Sequence, residues 1–364
     1  MRLESLHIRG LRCLSDVRLD LDPGINLFAG ANGAGKTSVL EAAFLLSHAR
    51  SFRSGTRDAL LQRNASALSI FAELEQGNQR RVRLGLGRGI PSRWEARVDG
   101  EDATIGRVVS ECAVVCFEPG SHALIAGGAE ERRRYLDWGV FHVEPDFLSA
   151  WRRYQRALKQ RNHLLRTGIV QHELLEPWEI ELAQTASQLD VQRERYINLL
   201  RGHLARTLQT LLPELGAVEL RYRRGWAEEG DLAELLQANR GRDLARGHTT
   251  QGAHRADWSI SFEQAPMREH LSRGQEKLTA LACLLAQASL YAELRCEWPI
   301  VCLDDLASEL DQLHQAAVVQ HLQGANAQVL VTGTDVPTPL QSTSHRLFHV
   351  EQGQLAAPAI ITEL

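Results

Sequence analysis

The chain has 364 residues, 44% hydrophobic and 24% charged, with a formal net charge of −4. Such a chain suits a soluble protein with a large core, either one domain carrying an insertion or two domains. No apolar run is long enough to cross a bilayer, the opening MRLESLHIRG lacks the apolar core of a secretion signal, and the bulk charge gives no argument for nucleic acid.

The first 29 residues read as strands: Leu6 and Ile8, then Val17, Leu19 and Leu21, alternate with polar neighbours, Asp22 to Gly24 mark a turn, and Ile25 to Ala29 form a short buried strand. GANGAGKT follows and fits G-x-x-x-x-G-K-[ST] completely. The apolar run after it predicts a helix, so the loop lies between a strand and a helix start. Glycines let backbone N–H groups close around phosphates, and the helix N-terminus adds its positive end. Gly30, Ala31, Asn32, Gly33, Ala34, Gly35, Lys36, Thr37 and Ser38 are therefore expected to hold ATP. Lys36 is expected to reach the β/γ-phosphates, and Thr37 to ligate Mg²⁺.

A second β-rich stretch runs from about Ala67 to Cys116, with alternation in RVRLGLG and a buried run AVVCF. From about Pro145 to Leu212 the chain reads as helical. Trp151, Tyr154, Leu158 and Leu165 follow 3-4 spacing, the pattern breaks at RTGIV, and Leu182, Ala186, Leu189, Tyr196, Leu200, Leu204, Leu208 and Leu211 resume it. That predicts an antiparallel helical hairpin, a short arm ended by Pro213. Strand-like AVELRYRR, a helical stretch from Asp231 to Arg246 and RADWSISF come next. The last third alternates helix and strand, which indicates a parallel α/β sheet.

PIVCLDDLASELD supplies the second half of a nucleotide site. Its buried strand delivers Asp304, suited to Mg²⁺, and Asp305, placed to orient or deprotonate an attacking water. Lys36 and Asp304 lie nearly a chain length apart, so the nucleotide fold is split around an insertion. The expected division is a head at 1–118 and 247–364 and an inserted helical arm at 119–246. LSRGQEK precedes that strand by one helix. Ser272 and Gln275 fit a capping box, but L-S-x-G-Q in this place is also the order of an ABC signature motif.

Together these stretches resemble the RecF family of bacterial recombination-mediator ATPases, relatives of the SMC and Rad50 proteins. The likeness rests on GANGAGKTSVLEA, SFRS, RRRYLDWGVFHVEPDFLSAW, LKQRN, GAHRADW, LSRGQEK and CLDDLASELD, and runs nearly end to end. It implies an α/β, ABC-type (SMC/Rad50-like) P-loop ATPase head with a mixed or parallel sheet, split by the arm. It further implies ATP-dependent homodimerisation, with Ser272, Arg273, Gly274 and Gln275 completing the site of the other subunit in trans and Asp311 at the dimer seam. Also implied are slow hydrolysis through Asp305, Asp304 and Lys36, a cytoplasmic or nucleoid location, and a RecR-type partner. The process would be recombinational repair with SOS-linked recovery. Thr332 occupies the strand end where transporter ATPases place a switch histidine, and Glu118 lies in the Q-loop region.

DNA, as single strand, duplex or junction, is the expected macromolecular ligand. The candidate cations are Arg132, Arg133 and Arg134, the arm residues Arg152, Arg153, Arg156, Lys159 and Arg161, and RYRR. Three other readings are weaker. A tethering protein needs a far longer coiled coil with a hinge or hook. A transporter ATPase should lack the arm and carry the switch histidine. An ATP-binding scaffold without hydrolysis differs only in its phosphate release.

Overall fold

The structure is a computed structural model that describes residues 1–53, 57–89, 93–167, 172–356 and 359–361. Its contacts divide the chain into two units. The first holds Met1–His122, Thr207–Leu211 and Arg273–Leu364; the second holds Ala123–Arg206 and Leu212–Ser272.

In the first unit, β1 (Arg2–Leu11) and β2 (Leu14–Asp20) pair antiparallel across a turn that places Arg12 at a φ of 56°. β3 (Ile25–Ala29) leaves them for another sheet. β4 (Ala67–Glu75), β5 (Arg81–Gly89), β6 (Trp94–Val98) and β7 (Glu101–Ala103) extend the pair into a six-stranded antiparallel sheet of order β2-β1-β4-β5-β6-β7. Alternate residues of β4 and β5 are buried, as the sequence alternation predicts for a sheet with one covered face. β8 (Val114–Phe117) is buried throughout.

The second unit carries the helical hairpin. Its first helix is Phe147–Thr167 and its second His172–Leu211; the break at RTGIV falls partly outside the described residues. Of the residues at 3-4 spacing, Tyr154, Leu165, Leu182, Ala186, Leu189, Tyr196, Leu200 and Leu204 are buried, while Trp151 and Leu158 are only half-buried, so the spacing marks the core face with two positions at its edge. The predicted helical stretch from Asp231 divides into two short helices, Leu232–Ala238 and Arg240–Arg246. β9 (Val218–Arg223) and β10 (Asp257–Phe262) pair antiparallel. This pairing carries residues 247–272 into the second unit, whereas the sequence division assigned them to the head.

β11 (Ile300–Leu303), β12 (Val329–Gly333), β13 (His345–Glu351), β14 (Gln354–Leu355) and β15 (Ala359–Ile361) complete the first unit. The order β13-β3-β12-β11-β8 is parallel throughout, with β14 and β15 antiparallel on β13. Every residue of β3, β8, β11 and β12 is buried, which explains why these strands read as mainly apolar runs, interrupted by Asn26 and Thr332, rather than alternations. In such a sheet, ligands bind outside the carboxyl ends of the strands. The loops after β3 and β11 are the two nucleotide motifs, and Thr332 is the penultimate residue of β12.

Candidate nucleotide-binding site

The loop after β3 takes a path that depends on glycine. A Cβ on Gly30 would lie 2.2 Å from the Val350 carbonyl oxygen, and Gly35 sits at a φ of 117° immediately before the helix Lys36–His48. Lys36 is buried, and its Nζ donates to the carbonyls of Gly30 at 2.6 Å and Ala31 at 2.9 Å. Its charge is thereby held at the mouth of the loop. Ala31, Asn32 and Gly33 are exposed, while Ala34, Gly35 and Ser38 are buried behind them.

The two motifs meet. Parallel register from β3 through β12 to β11 brings the strand ends side by side, and Thr37 Oγ1 donates to Asp304 Oδ1 at 2.8 Å across 267 residues of sequence. Thr332 Oγ1 donates to the same oxygen at 2.7 Å and accepts from the Asp305 backbone N–H at 2.8 Å. Asp304 is 5% exposed, and burial pushes its carboxyl above the ordinary aspartate range against the pull of the Thr332 and Thr37 hydroxyls. Asp305 has a φ of 53°, a left-handed conformation uncommon outside glycine that turns the chain sharply away from β11. A cavity of about 310 Å³ opens on these residues. Asn32, Gly33, Gly35, Lys36, Thr37 and Ser38 line it from the loop, and Asp304, Asp305 and Thr332 from the neighbouring strand ends.

Thr37 and Asp304 are hard oxygen donors in contact, the type of pair that holds Mg²⁺ together with substrate phosphates and water. Among the described residues no group of three or more His, Cys, Asp or Glu could hold a metal ion by itself. The donor set thus fits a cation that arrives with its nucleotide.

Sequence reasoning missed the other wall. Glu41, one turn beyond Thr37 and fully buried, accepts from Arg12 Nε at 2.9 Å and Arg12 Nη2 at 2.7 Å, and from the Ser51 hydroxyl. Arg53 Nη1 lies 3.8 Å from it, and Ser51 Oγ accepts from the Arg53 backbone N–H at 2.9 Å. Arg12 and Arg53 both line the cavity, so one carboxylate organises two cations there. The signals in the sequence were SFRS and the end of GANGAGKTSVLEA, which contains Glu41, both quoted only for their family likeness. Arg12 comes from a strand turn that no motif marks.

Arg273, Gly274 and Gln275 begin the helix Arg273–Arg295 but are not among the described residues that line this cavity. Ser272, Arg273 and Gly274 are exposed. Asp311 caps the helix Gln312–Gly324, accepting from the His314 backbone N–H, and those bonds hold its carboxyl below the ordinary range. Leu313 beside it is 78% exposed. Glu118 accepts from the Gly120 N–H at 2.6 Å, and burial raises its carboxyl.

The DNA candidates separate clearly. Arg132 is engaged with Asp257 at 2.7 Å and with the Gly127 carbonyl, and Arg133 is partly buried on the Ala256 carbonyl. Arg161 is fully buried against Glu179 and Asp243, and so presents nothing to a phosphate. In RYRR, Arg221 pairs with Glu219 and Arg223 lies 3.5 Å from Asp257. Arg152, Arg153, Arg156 and Lys159 are exposed, with Arg153 paired to Glu181.

Sheet order, phosphate loop and paired carboxylates define an ABC-type ATPase head of the kind shared by SMC proteins. The model of the RecF/RecN/SMC N terminal domain family matches residues 2–355. The DNA replication and repair protein RecF of Stenotrophomonas maltophilia (strain R551-3) is 49% identical over 98% of this chain and 100% of its own length. The chain belongs to the RecF family. The RecF of Xanthomonas axonopodis pv. citri (strain 306) is likewise 49% identical, over 99% of this chain and 100% of its own. A solved structure of the recombination mediator protein RecF with ATP, in the RecFOR pathway, superposes with a TM-score of 0.88 at 24% identity, covering 99% of this chain and 97% of that one.

Proposed function

We propose that this protein is an ATP-switched DNA-binding protein of recombinational repair and replication-gap processing, including SOS-linked recovery. The observation that carries the reading is the Thr37–Asp304–Thr332 cluster, which joins the two nucleotide motifs at one cavity. Lys36, Thr37 and the loop amides bind ATP, with Mg²⁺ supplied alongside it to Thr37 and Asp304. Mg²⁺ would contribute charge neutralisation at the phosphates. Asp305 orients the attacking water and supports slow hydrolysis.

ATP also joins two copies. Ser272, Arg273, Gly274 and Gln275 are absent from the cavity lining of their own head or exposed beside its helix start, which suits a role on the nucleotide of a second copy. Asp311 and the exposed Leu313 suit the seam. Nucleotide binding and dimerisation are then thermodynamically linked, because the dimer adds contacts that the free monomer lacks. Family membership and the relatives' description as DNA replication and repair proteins support a RecR-type partner and the repair process.

Sedimentation with saturating ATP and Mg²⁺ tests this. Asp305→Asn should accumulate as a dimer and Lys36→Ala should stay monomeric. A monomeric Asp305→Asn under those conditions contradicts the reading.

A further inference from the structure

The two arm helices differ in charge. Phe147–Thr167 holds five arginines, one lysine and no aspartate or glutamate, whereas His172–Leu211 holds six acidic residues and four arginines. Two cations of the first helix serve the arm itself: Arg161 is buried against Glu179 and Asp243, and Arg153 pairs with Glu181. The others fall with His163 at 4-3-4-3 spacing: Arg152, Arg156, Lys159, His163 and Arg166. That spacing places them on one face of a helix, in a row about 21 Å long. All five are exposed.

An ordinary solvated helix face interleaves acids with bases, because i,i+4 pairs of opposite sign stabilise it and like charges cost about 0.2–0.5 kcal/mol each. Here the helix itself carries no acid. The nearest offset is Glu181 of the second helix, which pairs with Arg153 and whose carboxyl Arg153 and, more weakly, Arg156 hold below the ordinary range. Among the described residues Arg152, Arg156 and Lys159 make no ion pair, and Arg166 makes only a backbone contact, Nε to the Gly247 carbonyl at 3.3 Å. The row also offers little surface on which bases could stack. Phe147 and Tyr154 are buried, and Trp151 is half-buried and off the row.

Resting on the reading above that the protein binds DNA, we propose that this row is a track for the phosphate backbone of duplex DNA. A straight, rigid line of cations complements the regular phosphates of a duplex, and a row whose one aromatic ring is His163 gives successive bases of a single strand little to stack on. Arg132, Arg133 and Arg153, equal candidates by sequence, are left to hold the arm together.

The test titrates the full-length chain with ATP onto duplex and single-stranded DNA over a salt series. It compares wild type, R152A/R156A/K159A/R166A, and a control lacking four exposed arginines of the first unit, R81A/R83A/R97A/R107A, three from β5 and β6 and one from the helix Ile105–Glu111. Each lost phosphate contact should lower the slope of log K against log salt by about 0.9. The row variant should therefore lose about 3 to 4 units of slope and, with affinities converging near ~1 M salt, on the order of a thousandfold in duplex affinity at ~0.1 M salt. The control should stay near wild type, and ATP affinity and melting temperature should hold in both variants. Equal losses in row and control variants would overturn the track, as would an unchanged duplex slope or a loss confined to single strands. An unchanged duplex slope paired with lost binding of an acidic protein would assign the row to that partner instead. No duplex binding by wild type, with ATP binding intact, would overturn the DNA reading itself and the track with it.

Discussion

Two sets of buried charge, the Arg161 network of the arm and Asp304 of the head, are handled in opposite ways. In the arm, Arg161 is fully buried and donates to Glu179 at 3.1 Å, Asp243 at 2.7 Å and the Thr249 hydroxyl at 2.9 Å, while Arg240 adds a second cation to Glu179. Each buried charge there has a protein partner. In the head, Asp304 is nearly as buried but, among the described residues, its side chain meets only two neutral hydroxyls at hydrogen-bond distance, and burial raises its carboxyl. A structural ion network is closed, whereas a ligand site leaves charge to be completed from outside.

The largest expected effect lies in the closed network. Arg161→Ala leaves Glu179 and Asp243 buried without their shared cation and should cost about 3–5 kcal/mol in chemical denaturation. A loss as small as that of the exposed neighbour Arg156→Ala would mean that the network is not closed as described.

A smaller effect concerns His254, whose Nδ1 shares a 2.6 Å hydrogen bond with Tyr154 Oη and whose pKa burial lowers to about 4. With the folded value below the unfolded one, the unfolded chain binds more protons between about pH 6.5 and 4. Stability should therefore be fully present above pH 6.5 and fall by up to about 3 kcal/mol as pH drops through that window. His254→Asn should flatten this part of a melting-temperature profile, and an unchanged slope would remove His254 as its cause.

Smaller still is Asp304→Asn. Removing an underpaired buried charge should stabilise the nucleotide-free protein by about 1 kcal/mol. The same change should abolish the Mg²⁺-dependent gain in melting temperature on adding ATP. A destabilised Asp304→Asn would place Asp304 with the closed networks of the arm.

Glu41→Gln tests the wall between these extremes. It should weaken ATP binding roughly tenfold by loosening Arg12 and Arg53 while Lys36 and Thr37 stay in place. Unchanged ATP affinity by calorimetry would limit Glu41 to packing.

The parts of the molecule legible from sequence are those whose physics is local. The loop from Gly30 to Ser38 and the strand ending in Asp304 and Asp305 are contiguous motifs, and the arm core follows from helical periodicity in Leu182 to Leu211. Partnership over distance was not legible. Arg161 and Lys159 look alike in LKQRN, yet one is sealed against Asp243 and the other faces solvent. Thr332 was notable only for the histidine it replaces; parallel register to β3 and β11 makes it the second hydroxyl on Asp304. Residues 247–272 were assigned to the head because no local signal in AVELRYRR and RADWSISF announces their pairing.

The central claim, a nucleotide site completed by a second copy, is tested most directly by mixing two defective proteins. Lys36→Ala breaks the phosphate loop and Ser272→Arg breaks the signature. A mixed dimer then keeps one site with both halves intact, and neither homodimer keeps any. ATP-dependent dimer in the mixture, measured by sedimentation and absent from each variant alone, is the predicted result. A mixture that stays monomeric, with both variants folded and Ser272→Arg still binding ATP, would contradict completion in trans.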